Sequence, residues 1–421
     1  MRGRELPGWY RRAGTVLAEP SDPRNHRRLI LAALGVLVVV AVALRVDLLP
    51  FQSTDFLIFR RWYGRIDQLG IASFGHPISN YSPPYLYVLY VATILPLPAI
   101  VAIKGSMILF DFLLAGSVYR LVGVFRPARY APALAAIATL FLPTVFLNSA
   151  FWAQIDATYT AFLVLSLHAA LTGRGGRAWT YFGVAIAIKL QAVFFLPVLL
   201  FLAVTRIGWR RVWRGVLAFV VLTFPPVLFG RPVRSLLDVY LTQGTMFHHS
   251  LTLRAPSIYQ WFPRWTYLYF NRAGVWMTAA AVLFVLVVGL VQRKFGQEEL
   301  LVLSALVLVV VPFLLPHMHE RYFYPAEILF LVLAFVVPRY AWVAVLMQVI
   351  SFFTYSSFLF HRRPVPFAFL TLGVLVIICA LSALYVRTGE VGRAGRHAQR
   401  RDPLQAGAGP AAEGVVLSRR S

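Results

Sequence analysis

Run after run of this sequence is apolar for about 17 to 25 residues, the length an α-helix needs to cross the hydrocarbon core of a bilayer. In lipid a backbone satisfies its hydrogen bonds only as a helix or a closed barrel. Barrel strands alternate polar and apolar residues, whereas these runs are apolar on every face, so the barrel is excluded. The chain reads as an all-α, polytopic integral membrane protein. Runs at residues 29–44, 105–124, 131–148, 157–171, 215–229, 273–291, 300–316, 322–337, 341–358 and 367–386 are separated by polar or basic segments. The stretch between residues 177 and 206 has room for two short helices broken near Lys189, and together these predict about twelve crossings.

Charge sets the expected orientation. The formal net charge of +24 is spread over both tails and short loops, with no single basic amphipathic face, so it argues topology and not nucleic acid. Arg2, Arg4, Arg11, Arg12, Arg24, Arg27 and Arg28 lead the chain, and Arg387, Arg393, Arg396, Arg400 and Arg401 follow the last run. The positive-inside rule places both termini in the cytoplasm and the number of crossings at an even value. Basic loops 126–129, 173–177 and 206–214 join the cytoplasmic side. Loops 45–84 and 230–272 fall outside, provided that residues 85–95, stopped by Pro96 and Pro98, form a half-helix that returns to the face it came from. The expected organisation is a basic cytoplasmic tail (1–28), a transmembrane domain (29–386) and a disordered, Gly-, Ala- and Arg-rich cytoplasmic tail (387–421). Residues 29–44 read as an uncleaved signal anchor. Cys379 has no partner, which excludes a disulfide framework and a cysteine metal site. The composition fits a bacterial plasma membrane and the cell envelope.

Against that background His317, Met318, His319, Glu320, Arg321 and Tyr322 stand out, a polar run between two apolar ones. An ionisable group at membrane depth costs roughly 2.5 to 3.5 kcal/mol on insertion scales, so it needs a partner or a task. Three readings are open: a metal site, although histidines two apart on a helix diverge and a third ligand is not evident; a proton relay in a transporter; or a phosphate site built on His319 and Arg321, with Glu320 orienting a base or hydroxyl.

Other polar groups are expected on the same side. Asp55 lies in the first loop. Tyr81 sits in Asn80-Tyr81-Ser82-Pro83-Pro84, a rigid entry to a helix. Trp152, Gln154 and Asp156 mark a helix turn at the interface, and Lys189 with Gln191 lies between short apolar helices, where a flexible cation suits a lipid phosphate. His248, His249, Arg254, Tyr259, Gln260 and Trp261 form a loop able to stack on sugar rings and bond hydroxyls, or simply to belong to the aromatic belt. Asp111, mid-span, is expected to make a buried interhelical hydrogen bond.

The order of Asp55, Asn80-Tyr81-Ser82-Pro83-Pro84-Tyr85, Trp152-Ala153-Gln154-Ile155-Asp156, Lys189-Leu190-Gln191-Ala192, Leu196-Pro197 and His319-Glu320-Arg321-Tyr322 resembles bacterial GPI-mannosyltransferase-II-like proteins. More distantly it is similar to the dolichyl-phosphate-glucose glucosyltransferases; both are GT-C glycosyltransferases. Three positions depart from the pattern: Ser82 within the Tyr-Pro-Pro start, Ala153 where glycine is common, and Ser257 where asparagine is common. The resemblance implies transfer of a hexose, by the nearer likeness mannose, from a polyprenyl-phosphate donor to a lipid-linked or glycan acceptor on the extracytoplasmic face, with inversion. It implies Asp55 as base, Lys189, Gln191, His319, Glu320, Arg321 and Tyr322 around the donor phosphate and sugar, and Trp152, Gln154, Asp156, Tyr81, Tyr259 and Trp261 orienting sugar or acceptor. No metal ligand set and no cofactor beyond the donor is assigned, and a divalent metal stays open. The competing class is a transporter or lipid flippase, which would show internal repeats and polar groups near the midplane.

Overall fold

In the computed structural model the described residues are 23–127, 130–241, 249–293 and 295–401, with backbone alone described for 23–26, 264 and 388–401. The leader up to residue 22, His248 and the tail beyond 401 lie outside them. The described chain is almost entirely helical, and a two-stranded parallel pair is the one sheet recorded in it. Seven helices are long and apolar enough to cross a membrane, or eight if the bent pair 131–151 is one span. The expected number of about twelve is therefore not what length and apolarity alone give. The remaining apolar helices, such as Pro83–Ile94 and Asp156–Leu171, are short.

The breaks have a local cause. Proline lacks an N–H and suits only the first turn of a helix. It opens the helix Ala131–Phe141 at its second residue, and Pro143 forces the 52° bend that follows. Pro197 and Pro325 likewise sit in the first turns of Leu196–Leu202 and Tyr324–Val336. Pro96 and Pro98 follow the helix Pro83–Ile94, a half-helix by its length, and near the start of the next helix, Ala99–Phe125, Lys104 Nζ donates to the carbonyls of Leu49 and Phe51, just past the end of the first helix. At the far end of that same helix, Arg126 donates to the carbonyl of Val336 (2.8 Å).

Two expectations about the first loop change. The first helix, Pro23–Leu48, continues past residue 44 and buries Arg45 completely. Arg45 Nε donates to Asp111 Oδ2 at 2.8 Å, and Ser149 Oγ donates to the same oxygen at 2.6 Å. Asp111 thus makes the expected buried interhelical hydrogen bond, as the carboxylate of an ion pair that ties three segments together. Residues 54–69 are not irregular either. They form an amphipathic helix whose buried Phe56, Phe59, Tyr63 and Ile66 recur at helical spacing while Arg60, Arg61, Arg65 and Asp67 face outward. The stripe is too narrow to read as a span, and it suits a helix lying along an interface.

At the other end of the chain the final helix runs from Phe367 to Arg401, so residues 387–401 continue it where a disordered tail was expected. The loops at residues 173–177 and 206–214 pack together away from the half-helix: Arg206 donates to the carbonyl of Leu171 (2.7 Å), and Gly175 has no room for a Cβ against the carbonyl of Ile207.

Candidate functional site

Five interruptions of helix converge on one cavity of about 270 Å³. Asp55 lies in the first turn of Thr54–Leu69. Ser53 caps that helix by accepting from the Phe56 N–H (3.1 Å), and its hydroxyl donates to the carbonyl of Trp152 (3.1 Å). One serine therefore both starts the helix and fixes it to the second segment, Trp152 to Ile155, which follows the π-turn Leu147–Phe151. The third segment leads to Pro83–Ile94. Its Ser82 donates to the carbonyl of Ile188 (2.6 Å), beside the fourth interruption at Lys189, where extended backbone (φ −153°, ψ 131°) separates the helix Gly175–Ile188 from a 3₁₀ turn. The fifth is His319 to Phe323, ahead of Tyr324–Val336.

Asp55 is held on one side only. Trp152 Nε1 (2.8 Å) and Gln154 Nε2 (2.6 Å) both donate to its Oδ2, and an Arg321 guanidinium nitrogen lies 3.6 Å from the same oxygen. Gln154 is oriented in turn by the Tyr81 hydroxyl, which donates to its Oε1 at 2.9 Å. Oδ1 accepts no hydrogen bond from any described residue, and the side chain lines the cavity with 23% of its surface exposed.

Asp156, by contrast, is fully buried. It accepts from Asn148 Nδ2 (2.9 Å) and forms an ion pair with Lys189, and Arg321 Nε stands 3.8 Å away. Arg321, stacked over the Trp152 ring at 5.0 Å, is therefore shared by Asp55, Asp156 and Glu320. Burial would lower its pKa, but Tyr81 and these carboxylates raise it, so it stays charged. Burial brings Lys189 down to about 8, with Asp156 opposing, and pushes Glu320 up to about 7 against the pull of Arg321. Glu320 is 1% exposed, and neither of its carboxylate oxygens has a hydrogen-bond partner among the described residues. His319 is held well below the usual histidine range by burial, then by Arg321 and Lys189. Burial and the neighbouring cations both favour its neutral imidazole.

The cavity thus unites Asp55, Tyr81, Lys189, Gln191, His319, Glu320, Arg321 and Tyr322, with Trp152, Gln154 and Asp156 buried directly behind them. Tyr259 and Trp261 do not line it. Tyr259 donates to the carbonyl of Leu314, and the Trp261 indole donates to the carbonyl of Ala368 (3.2 Å), so both brace neighbouring helices. His317 is also apart: it adopts a left-handed backbone (φ 64°) and turns Nδ1 to the carbonyl of Ser250 (2.7 Å). Among the described residues no group of three His, Cys, Asp or Glu side chains is set to hold a metal.

One member of the site, Asn148, was not singled out from sequence, and Arg254 was expected only as part of the loop that holds Tyr259 and Trp261. Asn148, which ends an apolar run, anchors Asp156. Arg254 reaches the cavity because Thr252–Leu253 pairs in parallel with Met318–His319. Asn148 lies close to Asp156 in sequence, on the π-turn, but reads only as the end of an apolar run, while Arg254 is placed by pairing between distant segments.

Ala153 explains one departure in the motif. Its φ is +68°, in the left-handed region that favours glycine and strains a residue bearing Cβ by roughly 1 to 2 kcal/mol. An Ala153→Gly variant is expected to melt no lower than the parent in detergent and to keep its activity, because relief of strain offsets the roughly 0.4 to 1 kcal/mol of chain entropy that glycine adds to the unfolded state. A clear drop in Tm would contradict this.

The fold is similar to that in a crystal structure of ArnT from Cupriavidus metallidurans in the apo state, with a TM-score of 0.52 and 17% sequence identity over 87% of this chain and 78% of that one. At this identity the likeness is one of fold alone, that of a helical membrane protein. No family model and no curated protein matches the chain.

Proposed function

We propose that this chain is an inverting GT-C glycosyltransferase that takes a sugar from a polyprenyl-phosphate carrier and places it on an acceptor hydroxyl at the extracytoplasmic face of the plasma membrane. The observation that carries this reading is the Asp55 carboxylate, with one oxygen pinned and the other unpartnered among the described residues, in a cavity that Arg321, Lys189 and Arg254 line together with Glu320. Such a cavity suits a substrate that is anionic on one side and must lose a proton on the other.

In the reaction, the acceptor oxygen forms a bond to the anomeric carbon from the face opposite the phosphate. The bond from that carbon to the phosphate oxygen breaks, its electron pair leaves with polyprenyl phosphate, and the acceptor proton passes to Asp55 Oδ1. General-base assistance of this kind contributes about 10² to 10⁴-fold. The leaving phosphate needs charge more than a proton, and Arg321, with Lys189 beside it, supplies a guanidinium fork and an ammonium. Trp152 and Gln154 keep Asp55 aimed.

The sidedness rests on the basic loops at 173–177 and 206–214, which gather away from the cavity and belong in the cytoplasm by the positive-inside rule. Mannose is the sugar favoured by the motif resemblance. The stereochemistry tests the single-displacement chemistry. A donor of β configuration should give an α-linked product, read by the anomeric coupling in NMR. A retained configuration would require a covalent sugar-enzyme intermediate and would remove Asp55 from the role of base.

The site also predicts a pH dependence. As pH rises through about 7, Glu320 ionises and adds negative charge beside the donor, and through about 8 Lys189 loses its positive charge. Both changes oppose binding of an anionic donor, so kcat/KM for the donor should fall from pH 6.5 to 9. The signs differ for stability. The raised Glu320 contributes stability that is present below its ordinary 4.5 and lost as pH rises through about 7, whereas the lowered Lys189 makes the fold gain stability from about 8 towards 10.5. Glu320→Gln should flatten the lower limb of the activity profile, and an unchanged profile in that variant would count against Glu320 titrating there.

A further inference from the structure

Beside the first cavity lies a second, of about 450 Å³. The strand pair Thr252–Leu253 and Met318–His319 lies between them, extended by a bridge from Arg254 to His319. His319 lines the first cavity and Thr252 and Leu253 the second, while Arg254 lines both. The Arg254 backbone is left-handed (φ 63°), and its buried Nε has no hydrogen-bond partner among the described residues. Arg363, Gln260 and His249 also line the second cavity, and none of its lining residues is acidic. Each arginine rests on an aromatic face, Arg254 on Phe358 at 5.1 Å and Arg363 on Phe367 at 5.7 Å, an arrangement that orients a guanidinium edge-on to a ligand. Gln260 holds the loop in shape by donating to the carbonyl of Ala255 (2.7 Å).

We propose that this second cavity binds the acceptor, and that the acceptor head group carries a phosphate gripped by Arg254 and Arg363. The assignment rests on the glycosyltransferase reading above and adds to it the acceptor's chemical class. Two arginines in a cavity whose own described lining holds no carboxylate suit a phosphate, since guanidinium groups bond phosphate oxygens in pairs. Because Arg254 borders both cavities, a phosphate held there leaves the rest of the head group next to Asp55, where its hydroxyl is to lose a proton.

The test uses the purified full-length protein in neutral detergent and four probes: phosphatidylglycerol, a diacylglycerol glucoside as an uncharged lipid of the same tail, glycerol phosphate, and labelled polyprenyl-phosphate-mannose. The wild type should bind phosphatidylglycerol at least tenfold more tightly than the glucoside. Arg363→Gln should abolish that preference and Arg363→Lys should restore part of it, with binding of polyprenyl-phosphate-mannose unchanged in both. Glycerol phosphate binding as tightly as the phospholipid would support a soluble phosphorylated acceptor, and weaker binding would support a lipid-borne one. Equal binding of charged and uncharged lipids by the wild type, or a preference that survives Arg363→Gln, would overturn the proposal. Failure of polyprenyl-phosphate-mannose to bind the wild type would instead count against the donor reading, while the phospholipid comparison would still report on the second cavity.

Discussion

Asp55→Asn lowers the transfer rate by about 10² to 10⁴-fold while the protein still inserts, folds and binds donor, the size of a lost general base. Asparagine keeps the shape of the side chain and can still accept from Trp152 and Gln154 through its one carbonyl oxygen, so the helix start capped by Ser53 is undisturbed. What disappears is the proton-accepting oxygen that faces the cavity. The loss should therefore fall on kcat, with KM for the donor nearly constant, because Asp55 lies on the acceptor side of the reacting carbon in this account. Donor binding measured beside turnover separates this result from misfolding, and full activity in Asp55→Asn would remove Asp55 as base.

Arg321→Ala should cost both activity and stability. Arg321 stands within 4 Å of oxygens on Asp55, Asp156 and Glu320 and is 12% exposed. Deleting it leaves buried carboxylates short of a cation, which typically destabilises by about 3 to 5 kcal/mol. It also removes the charge that meets the departing phosphate, worth about 10² to 10³-fold in kcat for a single electrostatic contact. Arg321→Lys separates the two effects. A lysine restores a positive charge among the carboxylates and should recover much of the Tm, but an ammonium cannot span Asp55 and the donor as a fork can, so activity should stay at least tenfold down. Near-normal turnover in Arg321→Ala would refute the phosphate role.

Much of this site was legible in the sequence because its residues sit where helices must stop. Proline and polar residues between apolar runs mark such places locally, as at Tyr81 before Pro83, at Trp152 to Asp156 and at His319 to Tyr322. The return of residues 85–95 to the outer face was an expectation from charge bias, and it places Lys104 and Arg126 at opposite ends of the following helix, Ala99–Phe125. The helix Thr54–Leu69 was hidden because only a narrow stripe of it is buried, and period 3.6 over a few aromatic residues is a weak signal beside a full span. Hydropathy gives about twelve apolar segments, of which seven or eight form helices long enough to span, because hydropathy does not report where a helix breaks. Arg254 was grouped with Tyr259 and Trp261 as one loop. It lines the first cavity because strand pairing with Met318 and His319 brings it there, whereas Tyr259 lines only the second cavity and Trp261 neither. Burial was the other blind spot: His319 reads as a cation beside an arginine, whereas burial and the neighbouring cations push its pKa down.

The central claim is transfer of a lipid-carried sugar, and its most direct measurement is that transfer. Purified protein is incubated with radiolabelled polyprenyl-phosphate-mannose, or with the glucose counterpart, and a bacterial membrane lipid extract, and products are separated from donor. The account predicts label in a new product with the wild type, more from the mannose donor than from the glucose donor, and none above background with Asp55→Asn. Label that never leaves its carrier but crosses the bilayer of reconstituted vesicles would contradict it, and would make the chain a lipid transporter.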